Sequence, residues 1–260
     1  MLDLQDLLSV LSGTFVGFTL GLVGGGGSIL AVPLMIYVVG VPSTHAAIGT
    51  SAVAVAASAA ASLFGHARAL HVKWRCAAVF ALAGMIGAAA GAALGKMVDG
   101  SHLLVLFGAL MLVVGALMLG RRAGGGNPEV RLDRASASRL LPLLGGLGLA
   151  VGGLAGFFGI GGGFLIVPGL IAATGMPLVN AIGSSLVSVT ALGATTAASY
   201  GISGLVDWRL AALFVLGGAL GVIAGLALGR ALSRYKRALS LVFAGIVISV
   251  GGYIVASALV

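Results

Sequence analysis

Two glycine runs are the most chemically suggestive feature of this sequence. The first, Gly24–Ser28 (GGGGS), and the second, Gly159–Gly163 (GIGGG), each interrupt a long apolar stretch. Backbone groups freed by such a break must bond to protein or face a wet cavity, because lipid offers no hydrogen bonds. A helix that begins just after the run points its N–H groups and its positive dipole end at that cavity. The ligand that this geometry favours is an anion.

The same glycines have a purely structural interpretation, which stays open. Small residues let helices approach closely in a membrane, and packing alone can explain part of the pattern. A nucleotide-binding loop is not supported, because no Lys-Ser or Lys-Thr follows either run.

Small polar side chains stand at matched positions beyond both runs. Thr50-Ser51 and Ser184-Ser185 each follow an Ile-Gly pair, and their hydroxyls could donate to the oxygens of an anion or bond to their own helix. A histidine and an asparagine just before these pairs could donate hydrogen bonds or cap a helix, and the histidine could also relay a proton. The predicted substrate-binding residues are Gly24, Gly25, Gly26, Gly27, Ser28, His45, Thr50, Ser51, Gly159, Gly161, Gly162, Gly163, Asn180, Ser184 and Ser185.

The two runs belong to an internal duplication. Pro33 pairs with Pro168 at an offset of 135 residues. After a one-residue gap, the 24 residues from Val72 pair with those from Val206, and 14 of these pairs are identical. A duplication of this length predicts two structurally equivalent halves.

Each half consists of five apolar segments. A full crossing of a bilayer needs about 20 apolar residues, and the second segment of each half has only 12. We therefore expect a half-helix, a steeply packed helix or a re-entrant hairpin at that place. The predicted segments are 4–23, 28–39, 46–64, 75–95 and 103–120 in the first half and 140–158, 163–174, 181–200, 210–229 and 238–258 in the second.

The composition places the chain in a bilayer. Hydrophobic residues make up 60% and charged residues 8% of its 260 positions, whereas about a quarter of a soluble domain is charged. The six acidic residues lie outside or at the edges of the apolar runs, as the cost of burying a charge in lipid requires. The sequence therefore predicts an all-α polytopic membrane protein, with glycine-broken helices near the midplane.

Loop charges indicate how the halves are oriented. The loop after the third segment is more basic in the first half, and the loop after the fourth is more basic in the second half. Because basic loops stay in the cytoplasm, equivalent loops lie on opposite sides, which predicts inverted-topology repeats. The expected organisation is a first repeat at 1–120, a cytoplasmic linker at 121–138 and a second repeat at 139–260, with both termini periplasmic.

Several classes of function lack support. No HExxH motif, His/Cys/Asp cluster or paired nucleophile and base is present, so we expect neither an enzyme nor a bound metal or cofactor. The net charge of +8 is scattered and does not form the basic face of a nucleic-acid-binding protein. The expected partners are a small anion and the lipid bilayer.

Two further patterns concern packing and the membrane surface. Glycines spaced four apart, at 87–95 and 221–229, predict helix-packing faces between the halves or between two protomers, so a homodimer stays open. Arg75 and Arg209 each follow a tryptophan and are interpreted as anchors at the membrane interface.

The combination of motifs resembles the TauE/SafE family, which comprises sulfite exporter or sulfonate permease-like membrane proteins. The resemblance rests on the repeated glycine run before Val-Pro, the Gly-x-Pro turn, the Ile-Gly-Thr/Ser-Ser helix start and the repeated Val-x-Trp-Arg. It covers nearly the whole chain apart from the linker. It implies a bacterial inner-membrane permease for small sulfur-containing anions such as sulfite, sulfoacetate or other organosulfonates.

These observations predict a secondary transporter that works by alternating access, with the halves rocking around a midplane site. An anion channel lined by the same glycine-broken helices is the main alternative. A non-transporting membrane assembly factor is a third. The sequence leaves the direction of transport and the coupling ion open.

Overall fold

The computed structural model describes residues 3–120, 130, 132–133, 136–159, 163–231 and 236–257. Within these residues every regular element is helical, and ten helices correspond to the ten predicted apolar segments. Most of the predicted linker, namely 121–129, 131 and 134–135, lies outside them. The helices are α1 Leu4–Val23, α2 (a composite over 24–38), α3 Thr44–Arg68, α4 Trp74–Gly95, α5 Gly100–Gly120, α6 Ala137–Phe158, α7 Gly163–Thr174, α8 Leu178–Ile202, α9 Trp208–Ala231 and α10 Lys236–Ser257.

The second segment, α2, is helical but irregular. It begins as a 3-10 helix over Gly24–Leu30, passes through one α-helical turn at Ala31–Pro33 and ends as a π-helix over Leu34–Val38. The glycines favour helix only weakly, and Pro33 lacks an N–H and clashes with the preceding turn. Its counterpart α7 keeps α-helical geometry although it contains Pro168. Both are short, as the sequence predicts.

Among the described residues, seven helices are long and apolar enough to cross a membrane: α1, α3, α4, α5, α6, α8 and α9. Shorter apolar helical stretches lie at 26–38, 163–174 and 241–257, the last of them within α10. Within the described part of the chain, four glycines between consecutive helices adopt the left-handed region: Gly40, Gly159, Gly175 and Gly204. The fold is that of a polytopic all-α membrane protein.

The strongest contacts between long helices join the first half to the second. Helix α1 packs on α9, and α4 packs on α6. Along both pairs a side chain on glycine would collide with the backbone of the partner, for example at Gly17 against Gly218 and at Gly91 against Gly153. Contact positions advance together along each pair, so the two helices in each pair run parallel. The predicted small-residue faces therefore pack the halves against each other.

Helices α3 and α8 form the centre of the bundle and cross each other in antiparallel directions. Gly193 of α8 faces Ala56 of α3, whereas Gly49 near the start of α3 faces Tyr200 near the end of α8. Helix α3 also packs beside α9, and α8 beside α4. We call the end of the bundle where α1 and α3 begin the terminal end, and the opposite end, where α4 and α6 begin, the linker end.

Helices α5 and α10 pair with each other at the side of the bundle. Gly108 of α5 lies against Ile254 and Val255, and Gly115 lies against Ile248, so this pair is antiparallel. Just before α5, Asp99 accepts hydrogen bonds from the backbone and the hydroxyl of Ser101 at 2.8 and 2.6 Å. These bonds, the hydroxyl first, hold the pKa of the Asp99 carboxyl below its ordinary value.

Candidate functional site

The matched hydroxyls Thr50 and Ser184 bond reciprocally across the two halves. The Thr50 hydroxyl accepts a hydrogen bond from the backbone N–H of Asp207, just before α9, at 3.0 Å. The Ser184 hydroxyl accepts one from the N–H of Lys73, just before α4, at 2.9 Å. Both hydroxyls are fully buried. Each therefore supports a helix start of the other half, and each keeps its own proton to donate.

The neighbouring serines have a more local role. Ser51 donates to the carbonyl of Ile48 at 3.1 Å, and Ser185 donates to that of Ile182 at 2.8 Å. Serine in apolar helices often bonds back to its own preceding turn in this way. Of the four predicted hydroxyls, Thr50 and Ser184 thus hold the halves together, and Ser51 and Ser185 bond within their own helices.

The first glycine run turns the chain back against α1. Gly24 to Gly27 form the start of the 3-10 helix. A side chain at Gly27 would press into Thr19 and the backbone N of Leu20, at 2.5 and 2.6 Å from its Cβ. Ser28 follows and is fully buried. This run requires glycine at Gly27 for close packing, whatever ligand it meets.

The second glycine run begins at the end of α6. Gly159 terminates α6 in the left-handed conformation, with φ of +66°, and a side chain there would collide with Ile48 of α3. Ile160, Gly161 and Gly162 lie outside the described residues. Gly163 opens α7 and is buried.

The two runs meet α3 at different heights. Gly27 lies beside Leu20, whose carbonyl accepts a bond from Ser62 of α3, whereas Gly159 lies beside Ile48. Ser62 and Ile48 are 14 residues apart in sequence, which is about 21 Å along an α-helix. The 3-10 part of α2 packs against α7. Gly27 and Gly159 therefore lie at separate depths beside the central helices.

His45 and Asn180, which the repeat places in equivalent positions, lie at opposite ends of the bundle. The Asn180 amide donates to the carbonyl of His71 at 3.2 Å, at the linker end. The His45 ring lies at the terminal end, 6.4 Å from the ring of Tyr200 between centroids. Its Nδ1 is buried and has no hydrogen-bond partner among the described residues.

The interior contains several buried polar side chains that were not predicted from the sequence. Side-chain polar atoms without a partner in the described part of the chain lie on α1, α3 and α8. A buried polar atom without a partner is costly in an apolar interior and often marks a binding site. In the sequence nothing distinguishes these residues from the other polar residues of the apolar segments, and only their burial in the folded bundle sets them apart. Besides His45 they are Ser12, Ser58, Ser188, Thr196 and Tyr200.

The two tryptophan-arginine pairs make specific contacts that the sequence did not predict. Arg209 forms a 2.5 Å ion pair with Asp6 of α1, which is only 3% exposed. Arg75 donates to the carbonyl of Leu132 in the linker at 3.3 Å. Asp6 lies within the first turn of α1. This acidic residue is therefore at the edge of the bundle, and it is buried there.

A cavity of about 280 Å³ lies between α1, α2 and α10. Its lining is almost entirely apolar and includes Phe15, Leu34 and Tyr253. None of the predicted site residues borders it. The polar groups of the candidate site lie instead along the central helices α3 and α8, distributed between the two ends of the bundle.

The helices, their apolar surfaces and the buried polar centre define a multi-pass membrane protein. The family model described as "Sulfite exporter TauE/SafE" matches residues 9–254. The chain belongs to this family, as the resemblance of its motifs predicts, and it is a membrane transporter of the TauE/SafE type.

Relatives from bacteria and archaea carry the same general description. A probable membrane transporter protein of Xylella fastidiosa (strain 9a5c) is 49% identical over 255 residues, covering 98% of this chain and 97% of that protein. The probable membrane transporter protein YunE of Bacillus subtilis is 27% identical, covering 86% and 88% of the two chains. MJ0441 of Methanocaldococcus jannaschii, described in the same words, is 26% identical over 74% and 73%. No solved structure matches the chain.

Proposed function

We propose that this protein is a secondary transporter for small sulfur-containing anions, either sulfite or organosulfonates, in the bacterial inner membrane. The observation that carries the proposal is the set of buried polar atoms without partners on α1, α3 and α8. Hydroxyl and ring N–H groups at these positions would donate hydrogen bonds to the oxygens of an oxyanion. The protein would thus bind the anion through neutral donors, without a fixed positive charge among them. Weak binding of this kind suits a carrier that must also release its substrate.

We infer further that the halves are inverted repeats. Parallel packing of α1 with α9 and of α4 with α6, together with antiparallel packing of α3 with α8 and of α5 with α10, supports this inference. Transporters of this architecture place the substrate between repeats that rock against each other. The linker then lies in the cytoplasm and both termini lie in the periplasm.

Alternating access is favoured over a channel because the candidate hydroxyls are enclosed. Thr50 and Ser184 are fully buried and hold helix starts of the opposite half. An anion reaches such groups when the halves move apart, and it leaves when they close on the other side. The reciprocal bonds are therefore the contacts that we expect to change during the cycle.

The experiment that tests this function is uptake of labelled sulfite and methanesulfonate into proteoliposomes. A carrier saturates and is accelerated by unlabelled substrate inside the vesicle, whereas a channel passes current that saturates poorly. No flux of either anion through folded protein would contradict the proposed cargo. An imposed proton gradient in the same assay identifies or excludes coupling to protons.

The assignment of the site is tested by bulky substitutions in the glycine runs. Gly26→Val and Gly161→Val are expected to abolish uptake while the protein remains folded in the membrane. Normal uptake by both variants would remove the glycine runs from the site. The proposal assigns no enzymatic step, cofactor, metal or nucleic acid to the protein, and it leaves a second copy of the chain as a partner to be tested by mass measurement in nanodiscs.

A further inference from the structure

Three polar side chains from three helices meet at the terminal end of the bundle. Lys96 follows the end of α4, His45 lies in the first turn of α3, and Tyr200 lies in the last turn of α8. The Lys96 Nζ is 5.6 Å from the centre of the Tyr200 ring. The centres of the His45 and Tyr200 rings are 6.4 Å apart. Tyr200 is the common neighbour of a cation and an imidazole.

The charge of Lys96 is solvated by neutral oxygens. Its ammonium donates to the carbonyl and hydroxyl of Ser199, both at 3.1 Å, and to the hydroxyl of Ser203 at 2.9 Å. Ion pairs among the described residues join Arg209 to Asp3 and Asp6, and none involves Lys96. None of these acceptors carries a negative charge, and an anion in place of a serine would be a stronger acceptor for the ammonium group.

The other two members have polar atoms ready for a ligand. Tyr200 is fully buried, yet its hydroxyl has no partner within the described residues, and the same holds for Nδ1 of His45. Thr196, one turn earlier on α8, is also fully buried with its hydroxyl unpartnered. Leaving a buried polar group without a hydrogen bond is energetically costly. Three such unbonded groups close together, on His45, Thr196 and Tyr200, indicate that the cluster binds a ligand.

We propose that Lys96, His45 and Tyr200 form an anion-binding vestibule at the terminal end of the transporter. The inference rests on the proposed function and deepens it by adding an entry or exit site for the same oxyanion. Lys96 supplies the charge, and Tyr200 and His45 donate to the sulfonate or sulfite oxygens. From there Thr196 continues the polar surface toward the middle of α8.

The repeat gives independent support to the charged position. At the offset of 134 residues, Lys96 aligns with Arg230 and Tyr200 aligns with His66. A cationic residue therefore follows or ends the fourth segment in both halves. If the halves are inverted repeats, Arg230 and His66 belong to the linker end of the bundle, where an equivalent vestibule is expected.

A simpler role for Lys96 has to be separated from this one. Its bond to the Ser199 carbonyl caps the last turn of α8, and a cation there is favoured by the helix dipole. Loss of a cap lowers stability without changing substrate affinity. Loss of a vestibule raises the half-saturation concentration of the anion, and it does so for Tyr200→Phe as well, which leaves the Lys96 contacts intact.

The test uses the full chain in proteoliposomes and in detergent. The concentration dependence of sulfite and methanesulfonate uptake is measured for Lys96→Gln, Lys96→Arg and Tyr200→Phe. Arg68→Gln, which removes an exposed charge stacked on Phe64 at the other end of α3, and Tyr253→Phe, in the exposed part of α10, are the matched controls. The shift in melting temperature caused by sulfite is recorded in parallel.

We expect the half-saturation concentration to rise on the order of ten-fold in Lys96→Gln and about three-fold or more in Tyr200→Phe. Lys96→Arg and both controls stay within about two-fold of the original protein by the same reasoning. Unchanged half-saturation in both Lys96→Gln and Tyr200→Phe overturns the vestibule, whatever their stability.

The two proposals fail separately in this design. If the original protein takes up neither anion, the proposed cargo is wrong, and the melting experiment decides about the vestibule. A sulfite-dependent rise in melting temperature that Lys96→Gln loses supports the vestibule. No rise in the original protein overturns it.

Discussion

At the scale of single residues, the clearest electrostatic feature is the ion pair of Asp6 with Arg209. Asp6 is almost completely enclosed, whereas the Arg209 side chain is 62% exposed. Asp6 also accepts the backbone N–H of Asp3 at 3.1 Å. The pair links the starts of α1 and α9, and its enclosed member depends on its exposed member for compensation of charge.

Removing the exposed partner is therefore expected to do more damage than removing the enclosed one. Arg209→Gln leaves a carboxylate in an enclosed site, and we expect it to cost about 1 to 3 kcal/mol of stability. Asp6→Asn removes the charge itself and should cost less. Thermal unfolding of the purified variants measures both, and the double variant should lie closer to the original protein than Arg209→Gln alone. Equal effects of the two single changes would contradict this account.

At the scale of elements, the glycine faces decide which helices pair. Helix α4 lies so close to α6 that side chains at Gly87, Gly91 and Gly95 would meet backbone atoms of α6. The same holds for α9 against α1 at Gly217, Gly221 and Gly225. In a membrane such close contact replaces the hydrophobic driving force, which is weak between helices already surrounded by lipid tails.

Substitution of alanine in this contact should separate packing from helix propensity. We expect Gly91→Ala to lower stability by about 1 to 3 kcal/mol, because its Cβ would overlap the Gly153 backbone. Gly146→Ala is the matched control, since space around that glycine of α6 is open and alanine favours helix. The melting temperature should fall by roughly 2 to 12 °C for Gly91→Ala at this chain length and should not fall for the control. A similar fall in both would argue against close packing as the cause.

At the scale of the whole molecule, the directions of the helices predict on which face of the membrane each loop lies. Helix α4 ends at the terminal end, where Lys96 bonds to the last turn of α8. Its counterpart α9 runs parallel to α1 and α3, away from that end. Equivalent loops of the halves are thereby expected on opposite faces of the membrane.

Cysteine labelling tests this arrangement directly. In a protein whose Cys76 is replaced by alanine, Ser101→Cys lies in the first turn of α5, and Ser233→Cys lies in the sequence between α9 and α10. We expect a membrane-impermeant maleimide to label Ser101→Cys in intact cells and Ser233→Cys only after the membrane is opened. Labelling of both positions from the same side would rule out inverted repeats.

Much of the fold was predictable because helix length and apolarity in a membrane are strongly constrained. The ten segments, the short second segment of each half and the packing role of the spaced glycines all follow from the sequence. The irregular helix that begins at Gly24 was predictable only as an interruption of the α-helix, since the sequence does not indicate that the interrupted segment forms a 3-10 helix. The bonds that Thr50 and Ser184 make were not predictable, because their partners come from distant parts of the chain, as the bond of Thr50 to Asp207 shows.

The parallel pairing of α1 with α9 also has a consequence for how the protein is made. The Arg209 partner of Asp6 lies 203 residues farther along the chain, and a ribosome adding about 5 to 20 residues per second reaches it roughly 10 to 40 s later. During that interval the first helix resides in the membrane with its carboxylate and Ser9 lacking their final partners. The insertion machinery or lipid headgroups must shelter these groups until the ninth helix arrives. Biogenesis of this transporter is therefore completed late, when the end of the chain closes on its beginning.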